Sequence, residues 1–216
     1  MFTAIFGRYD VLREIPQEAL EPDLFDYVCF TDLDLESSSF KIRKILPDRA
    51  PHLANRYYKI LIDDLTKGKY QGSIYLDGNV TVKSKLGGLI DPDFDLIVHD
   101  HPRRCVYEEA KVVLKKKKDS RANVKSWIKY LKREGFPKNQ GLYWNGILIR
   151  NHSEAMNHLC RSWWRLILEY SYRDQLTLPY LLQRSSIKVQ CIERKLDAHG
   201  VFDSENFFYD GTHKPL

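Results

Sequence analysis

Apolar residues in this chain fall into short runs that alternate with longer segments of three-and-four spacing. FTAIF at 2–6 is an apolar run ended by Gly7, and the charged stretch after it holds Pro16 and Pro22. That is the pattern of a buried strand leading into a loop. DYVCFTD at 26–32 and KIRKIL at 41–46 predict two more strands, the second alternating with period two. Over 52–65, Leu53, Tyr57, Ile60 or Leu61, and Leu65 recur at helical spacing, with Arg56 and Lys59 on the polar face. SIYLDGNVTV at 73–82 reads as a strand interrupted at Asp77-Gly78-Asn79, and DLIVHDH at 95–101 as a strand ending in polar residues. One helix is predicted over 107–134, with Lys115 to Lys118 in its middle and Gly135-Phe136-Pro137 stopping it. A strand over 142–151, an amphipathic helix over 152–171, a further helix that Pro179 limits or kinks, and a last strand over 187–192 follow. The polar tail 195–216 lacks periodicity and reads as a loop that frays or folds back over a ligand.

Strands alternating with helices predict an α/β fold with a mostly parallel sheet covered on both faces, where ligands sit beyond the carboxyl ends of strands. No repeat, low-complexity tract or linker divides the 216 residues, so one domain over 1–216 is expected. With 43% hydrophobic and 29% charged residues, the composition excludes a disordered, collagen-like or disulfide-scaffold chain. No apolar run is long enough to span a membrane, and the apolar stretch in MFTAIFGRYD is too short for a signal segment, so a soluble cytoplasmic protein is expected. Cys29, Cys105, Cys160 and Cys191 are far apart, without a C-x-x-C pair, and read as reduced, buried thiols. The net charge of +5 favours an anionic ligand such as a phosphate.

Asp77-Gly78-Asn79 ends an apolar run. A carboxylate followed two residues later by a second oxygen donor, with glycine allowing close backbone approach, suits Mg²⁺ or Mn²⁺ that also holds a substrate diphosphate. The same residues are ordinary hairpin-turn pairs. Arg56 and Lys59 lie one helical turn apart and can face one anion, the first as a fork and the second as a point charge. Asp174 stands between Arg173 and Gln175 at a helix start, where macrodipole and neighbouring cation keep it ionised. It is either a helix cap or the base that takes the proton of an acceptor hydroxyl. Of His99, Asp100 and His101, only the two histidines share one side of a strand.

The order of F-T-A-I-F-G-x-Y-D at the start, F-T-D at 30–32, R-x-x-K at Arg56 and Lys59, Y-L-D-G-N, and W-N-G-I-L-I-R at 144–150 resembles that of nucleotide-sugar-dependent glycosyltransferases of the GT-A fold. HPRRCVYEEA at 101–110 and WWRLILEYSYRDQLTLPYL at 163–181 are similar to signatures of a plant and microbial group of such enzymes, and the whole order is similar to a chlorella-virus glycosyltransferase domain. The resemblance implies a single-domain, Rossmann-like α/β/α sandwich. It further implies that Thr3, Ala4, Phe6, Arg8 and Tyr9 bracket the base and ribose and that Asp32 accepts hydrogen bonds from them. By the same resemblance Arg56 and Lys59 bind the diphosphate, and Asn145 touches the donor sugar. Asp77 and Gly78 would contact the donor nucleotide, and Asp77 and Asn79 would hold the metal, although the family carries a second aspartate where this chain has Asn79. His213 would complete the metal site, with His199 as competitor, and Lys214 would reach the diphosphate as the tail closes. The implied cofactor is Mn²⁺ or Mg²⁺. The implied donor is UDP-linked, carrying glucose, xylose or a deoxysugar such as rhamnose. The acceptor would be a glycan or protein-linked glycan, on a capsid glycoprotein by the viral resemblance, with transfer inverting.

Two other classes compete. Lys111, Lys115 to Lys118, Arg121, Lys125 and Lys129 could track a nucleic-acid backbone, but no RNA-binding aromatic signature or helix-turn-helix accompanies them. A metal-dependent nucleotidyltransferase would share the Asp77 chemistry, yet no Gly-rich phosphate loop is present.

Overall fold

The computed structural model describes residues 1–211, and their apolar runs fold largely where the alternation puts them. In chain order the elements are β1 (Phe2–Ile5), β2 (Val28–Thr31), β3 (Lys41–Lys44), α1 (Pro51–Ile60), α2 (Ile62–Thr66), β4 (Gly72–Leu76), β5 (Thr81–Val82) and β6 (Leu96–Asp100). They continue with α3 (Val106–Lys115), α4 (Arg121–Arg133), β7 (Tyr143–Asn151), α5 (Glu154–Glu169), α6 (Asp174–Gln183), β8 (Val189–Ile192), β9 (Phe202–Asp203) and β10 (Phe207–Tyr209). Seven strands form a sheet in the order β3-β2-β1-β4-β7-β6-β8. β7 runs antiparallel to both neighbours and the remaining pairs are parallel, which gives the mixed α/β fold with a mostly parallel sheet that the pattern predicts.

Alternation along β1 decides what each side chain serves. Phe2, Ala4 and Phe6 pack with Ala54 and Ile60 of α1, Trp163 of α5 and Leu178 of α6 on one face. Met1 and Ile5 point the other way, into a core with Ile74, Ile97, Ile147, Phe202 and Phe207. That second face is covered by the loop after β1 and by a three-stranded sheet, β5-β10-β9, rather than by helices. A third cluster gathers around Trp127 and Leu131 of α4 and Leu176 of α6.

Four sequence expectations are redrawn. The helix expected over 52–65 breaks at Leu61 into α1 and α2. The strand expected over 73–82 becomes β4 and β5, separated by the turn at Asp77 to Val80. The tail, expected as a loop, supplies β9 and β10. The helix expected over 107–134 ends at Lys115, because Lys117 turns left-handed (φ 52°) while its N–H and that of Lys118 return to the carbonyls of Leu114 and Val113. Ser120 then caps α4 by accepting the Asn123 N–H at 3.0 Å. Cys29, Cys105 and Cys160 are buried as expected, whereas Cys191 is exposed, and all four are free. Among the described residues no helix is long and apolar enough to cross a membrane.

Trp127 is fully buried, stacks on Tyr130 at 5.4 Å and donates its indole N–H to the Leu176 carbonyl at 2.9 Å. Trp127→Ala is expected to cost about 3–5 kcal/mol, read as a lower urea midpoint at an unchanged slope.

Candidate functional site

The carboxyl end of β4 delivers Asp77 to the space between β1, β7 and α1. Its backbone is spent on a turn: the Asp77 N–H donates to the Gly146 carbonyl at 2.8 Å and its carbonyl accepts the Val80 N–H at 3.0 Å. Its side chain, two residues after Tyr75, faces α1. There the Tyr75 hydroxyl donates to Asp77 Oδ1 at 2.7 Å, and Lys59 Nζ stands 3.4 Å from the same oxygen. Lys59 Nζ also lies 2.8 Å from Asp174 Oδ2, and Arg56 Nε lies 3.5 Å from Asp174 Oδ1. Asn55 locks the base of the array, donating to the Ala4 carbonyl at 2.5 Å and to the Tyr75 hydroxyl at 3.4 Å, while its side-chain oxygen accepts from Arg56.

Exposure separates the members. The side chains of Lys59 and Asp174 are 1% and 2% exposed, that of Asp77 32%. Burial alone would raise the Asp174 pKa, but Arg56, Lys59 and Arg173 together hold it well below the usual carboxylate range. Burial and the neighbouring Asp77 push the Tyr75 phenol well above its ordinary value, so it remains a donor to Asp77. The array is two carboxylates and two cations with one carboxylate edge open to solvent.

Burial and ion pairing do not suit the base expected of Asp174. A carboxylate buried at the start of α6, paired to two cations and held strongly acidic, is a weak proton acceptor. The geometry makes it the counter-ion that fixes Arg56 and Lys59.

Other expected residues divide. Thr3, Ala4 and Phe6 are buried, Phe6 stacking on Tyr58 at 5.5 Å, so they support the loop after β1 rather than line it. Asp32 accepts the Gly7 N–H at 3.0 Å and holds that loop. Gly7 is required there: its φ is +69° and a Cβ would lie 2.7 Å from Pro51. Arg8 and Tyr9 are exposed on the loop. Gly78 packs against Asp10 and Ile5. Asn79 is buried, and its side chain is hydrogen-bonded to the Tyr209 hydroxyl, tying β10 to the turn. His199 is exposed in a turn closed by Asp197. His213 and Lys214 lie outside the described residues.

Asn145 is the exceptional case. It is 1% exposed, and neither its Oδ1 nor its Nδ2 has a hydrogen-bond partner, an arrangement that costs about 1–3 kcal/mol per unsatisfied group. It sits in a bulge, since His99 pairs with Trp144 whereas Val98 pairs with Leu148. The next residue, Gly146, holds the Asp77 N–H, and a Cβ there would come within 2.4 Å of the Trp144 ring.

His99 packs beneath Phe202 at 5.2 Å on the far face. Burial, then Arg194, lowers the His99 pKa to about 4, and burial, then Arg103 and Arg194, does the same for His101. Lys111, Lys125 and Lys129 line a groove of about 540 Å³ between α3 and α4. Asn55 and Tyr75 were missed as site residues, although Tyr75 is marked by alternation as facing the same way as Asp77.

Among the described residues no group of three or more His, Cys, Asp or Glu could hold a metal by itself. A lone, part-exposed carboxylate at a strand end does fit Mg²⁺ or Mn²⁺ that keeps waters and takes its remaining ligands from substrate phosphates.

Asp174→Asn is expected to cost about 3–5 kcal/mol at pH 7, because it takes from buried Lys59 the nearer of its two carboxylates and from Arg56 its partner. The folded-state pKa is depressed, so this stabilisation is complete above the unfolded value of about 3.9 and fades as pH falls further. Denaturation of both proteins from pH 7 to 3 should show the gap narrowing below about pH 4.

A family model described as TOD1/MUCI70, glycosyltransferase-like domain matches residues 58–208. No curated protein matches the chain. Similar solved structures include a glycosyltransferase involved in the glycosylation of the major capsid of PBCV-1, at 12% identity and a TM-score of 0.44, covering 74% of this chain and 68% of that one. The apo WbbM bifunctional glycosyltransferase matches at 10% identity and 0.44, covering 77% of this chain and 33% of that one. Apo mouse xyloside xylosyltransferase 1 matches at 9% identity and 0.43, covering 88% and 83%.

Proposed function

The chain belongs to the TOD1/MUCI70 glycosyltransferase-like family, and on that premise we propose that it transfers a sugar from a nucleoside-diphosphate donor, UDP-linked, to a glycan acceptor. The observation that carries this reading is the Asp77 carboxylate, presented at the end of β4 beside Lys59 and Arg56 with one edge open. A divalent cation held by Asp77 would neutralise charge on the diphosphate as it departs.

The chain's own residues supply the rest. Arg56 and Lys59 are fixed by Asp174, so their charge is already oriented when the donor arrives and little reorganisation accompanies the reaction. Tyr75 and Asn55 hold Asp77 and Arg56 in register. The unsatisfied Asn145 amide offers both a donor and an acceptor to sugar hydroxyls. Asp174 is a positioning residue in this scheme.

Thermal denaturation with UDP, with and without manganese, tests the reading. UDP with manganese at about 100-fold its Kd should stabilise the protein by about 2.7 kcal/mol, and manganese alone should do little. Asp77→Ala should abolish the manganese-dependent part. No shift with UDP under either condition would overturn the donor assignment, and an equal shift with and without manganese would remove the metal.

A further inference from the structure

We propose that Arg103, Lys118 and Arg173 form an anion subsite beside the donor site, which takes a negatively charged group, a carboxylate or phosphate ester, on the acceptor; this rests on the glycosyltransferase reading above.

The three cations come from the loops that lead into α3, α4 and α6, helices that pack on one another through Val113, Trp127 and Leu176. Each precedes a helix by no more than three residues: Arg103 before α3, Lys118 before α4 and Arg173 before α6. The positive ends of three helix dipoles therefore open beside them. The loops are pinned by a buried bond, for Ser171 donates its hydroxyl to Asp119 at 2.5 Å and accepts the Arg173 N–H at 3.2 Å. That bond fixes Lys118, the residue before Asp119, beside Arg173. Holding like charges together is unfavourable unless something offsets them.

The protein itself offsets only part of this charge. Two buried carboxylates stand against the three cations: Glu109, 5% exposed and 3.0 Å from Arg103, and Asp119, 7% exposed, which is held by Ser171. Arg173 neighbours Asp174, which is already paired to Lys59 and Arg56. The Nε of Arg173 is buried without a hydrogen-bond partner. Burial, then Arg173 and Lys116, lowers the Lys118 pKa, with Glu109 acting against them. An oxyanion would satisfy the idle Arg173 N–H and relieve the repulsion. Arg173 adjoins Asp174, so the subsite borders the donor cations, where the acceptor must lie.

Calorimetric titration would compare an uncharged disaccharide, the same disaccharide carrying a terminal uronate, and the same disaccharide phosphorylated. Each is run at fixed ionic strength, with and without UDP and manganese. A charged disaccharide should bind at least tenfold tighter than the uncharged one, and whichever charged form binds best identifies the group. Lys118→Gln, an exposed change that leaves the core intact, should remove about tenfold of that preference while UDP binding holds. Lys132→Gln, at the far end of α4, should leave the preference unchanged. Equal binding of all three sugars overturns the subsite, as does an equal loss with Lys132→Gln. Weaker UDP binding by Lys118→Gln would assign the cluster to the donor diphosphate instead. Failure of UDP to bind while the charged preference persists would discard the donor reading and leave the subsite standing.

Discussion

A buried ion pair, Lys59 Nζ to Asp174 Oδ2 at 2.8 Å, is the interaction on which the rest of the site depends. Both side chains are almost wholly removed from water, and desolvating either charge alone would cost several kcal/mol. Removing either leaves the other only its more distant partner, Asp77 for Lys59 and Arg56 for Asp174. Because one sits on α1 and the other starts α6, the pair also fixes how these helices meet over the sheet. Arg56, one turn before Lys59, shares the same carboxylate, so a cationic face is assembled before any ligand arrives.

This explains why the site tolerates what would otherwise be poor design. Asp77 is open on one edge, Asn145 is a buried amide without partners, and three further cations crowd the neighbouring helix starts. Each is unfavourable by itself, and each fits the negatively charged, hydroxyl-rich ligand proposed above. The cost falls on a scaffold with two well-packed faces and a third cluster around Trp127. Polar dissatisfaction concentrated at the carboxyl ends of strands, on an otherwise well-filled core, is the expected signature of a binding site.

The tail offers the opposite lesson. Residues without periodicity nonetheless form β9 and β10, because a partner edge, β5, exists for them only once the turn at Asp77 to Val80 has folded. Tyr209 then reaches Asn79, so the side chain expected to hold a metal is hydrogen-bonded to β10. The residue at 79 serves at least to tie the small sheet to the turn.

The sequence alone determined the strands at 2–6, 26–32 and 142–151, the amphipathic helix of Arg56 and Lys59, and Asp77 at a strand end, since alternation and helical spacing are local properties of the chain. It also carried the motif order that marks the family. Tertiary structure decided that Asp174 is buried against Lys59 and Arg56, that Asp32 accepts the Gly7 N–H, and that the lysine run ends one helix and leads into the turn before the next. A carboxylate reads the same in sequence whether it faces water or a buried lysine. The difference lies in which residue, 115 positions away, packs against it, and long-range packing has no periodicity to read.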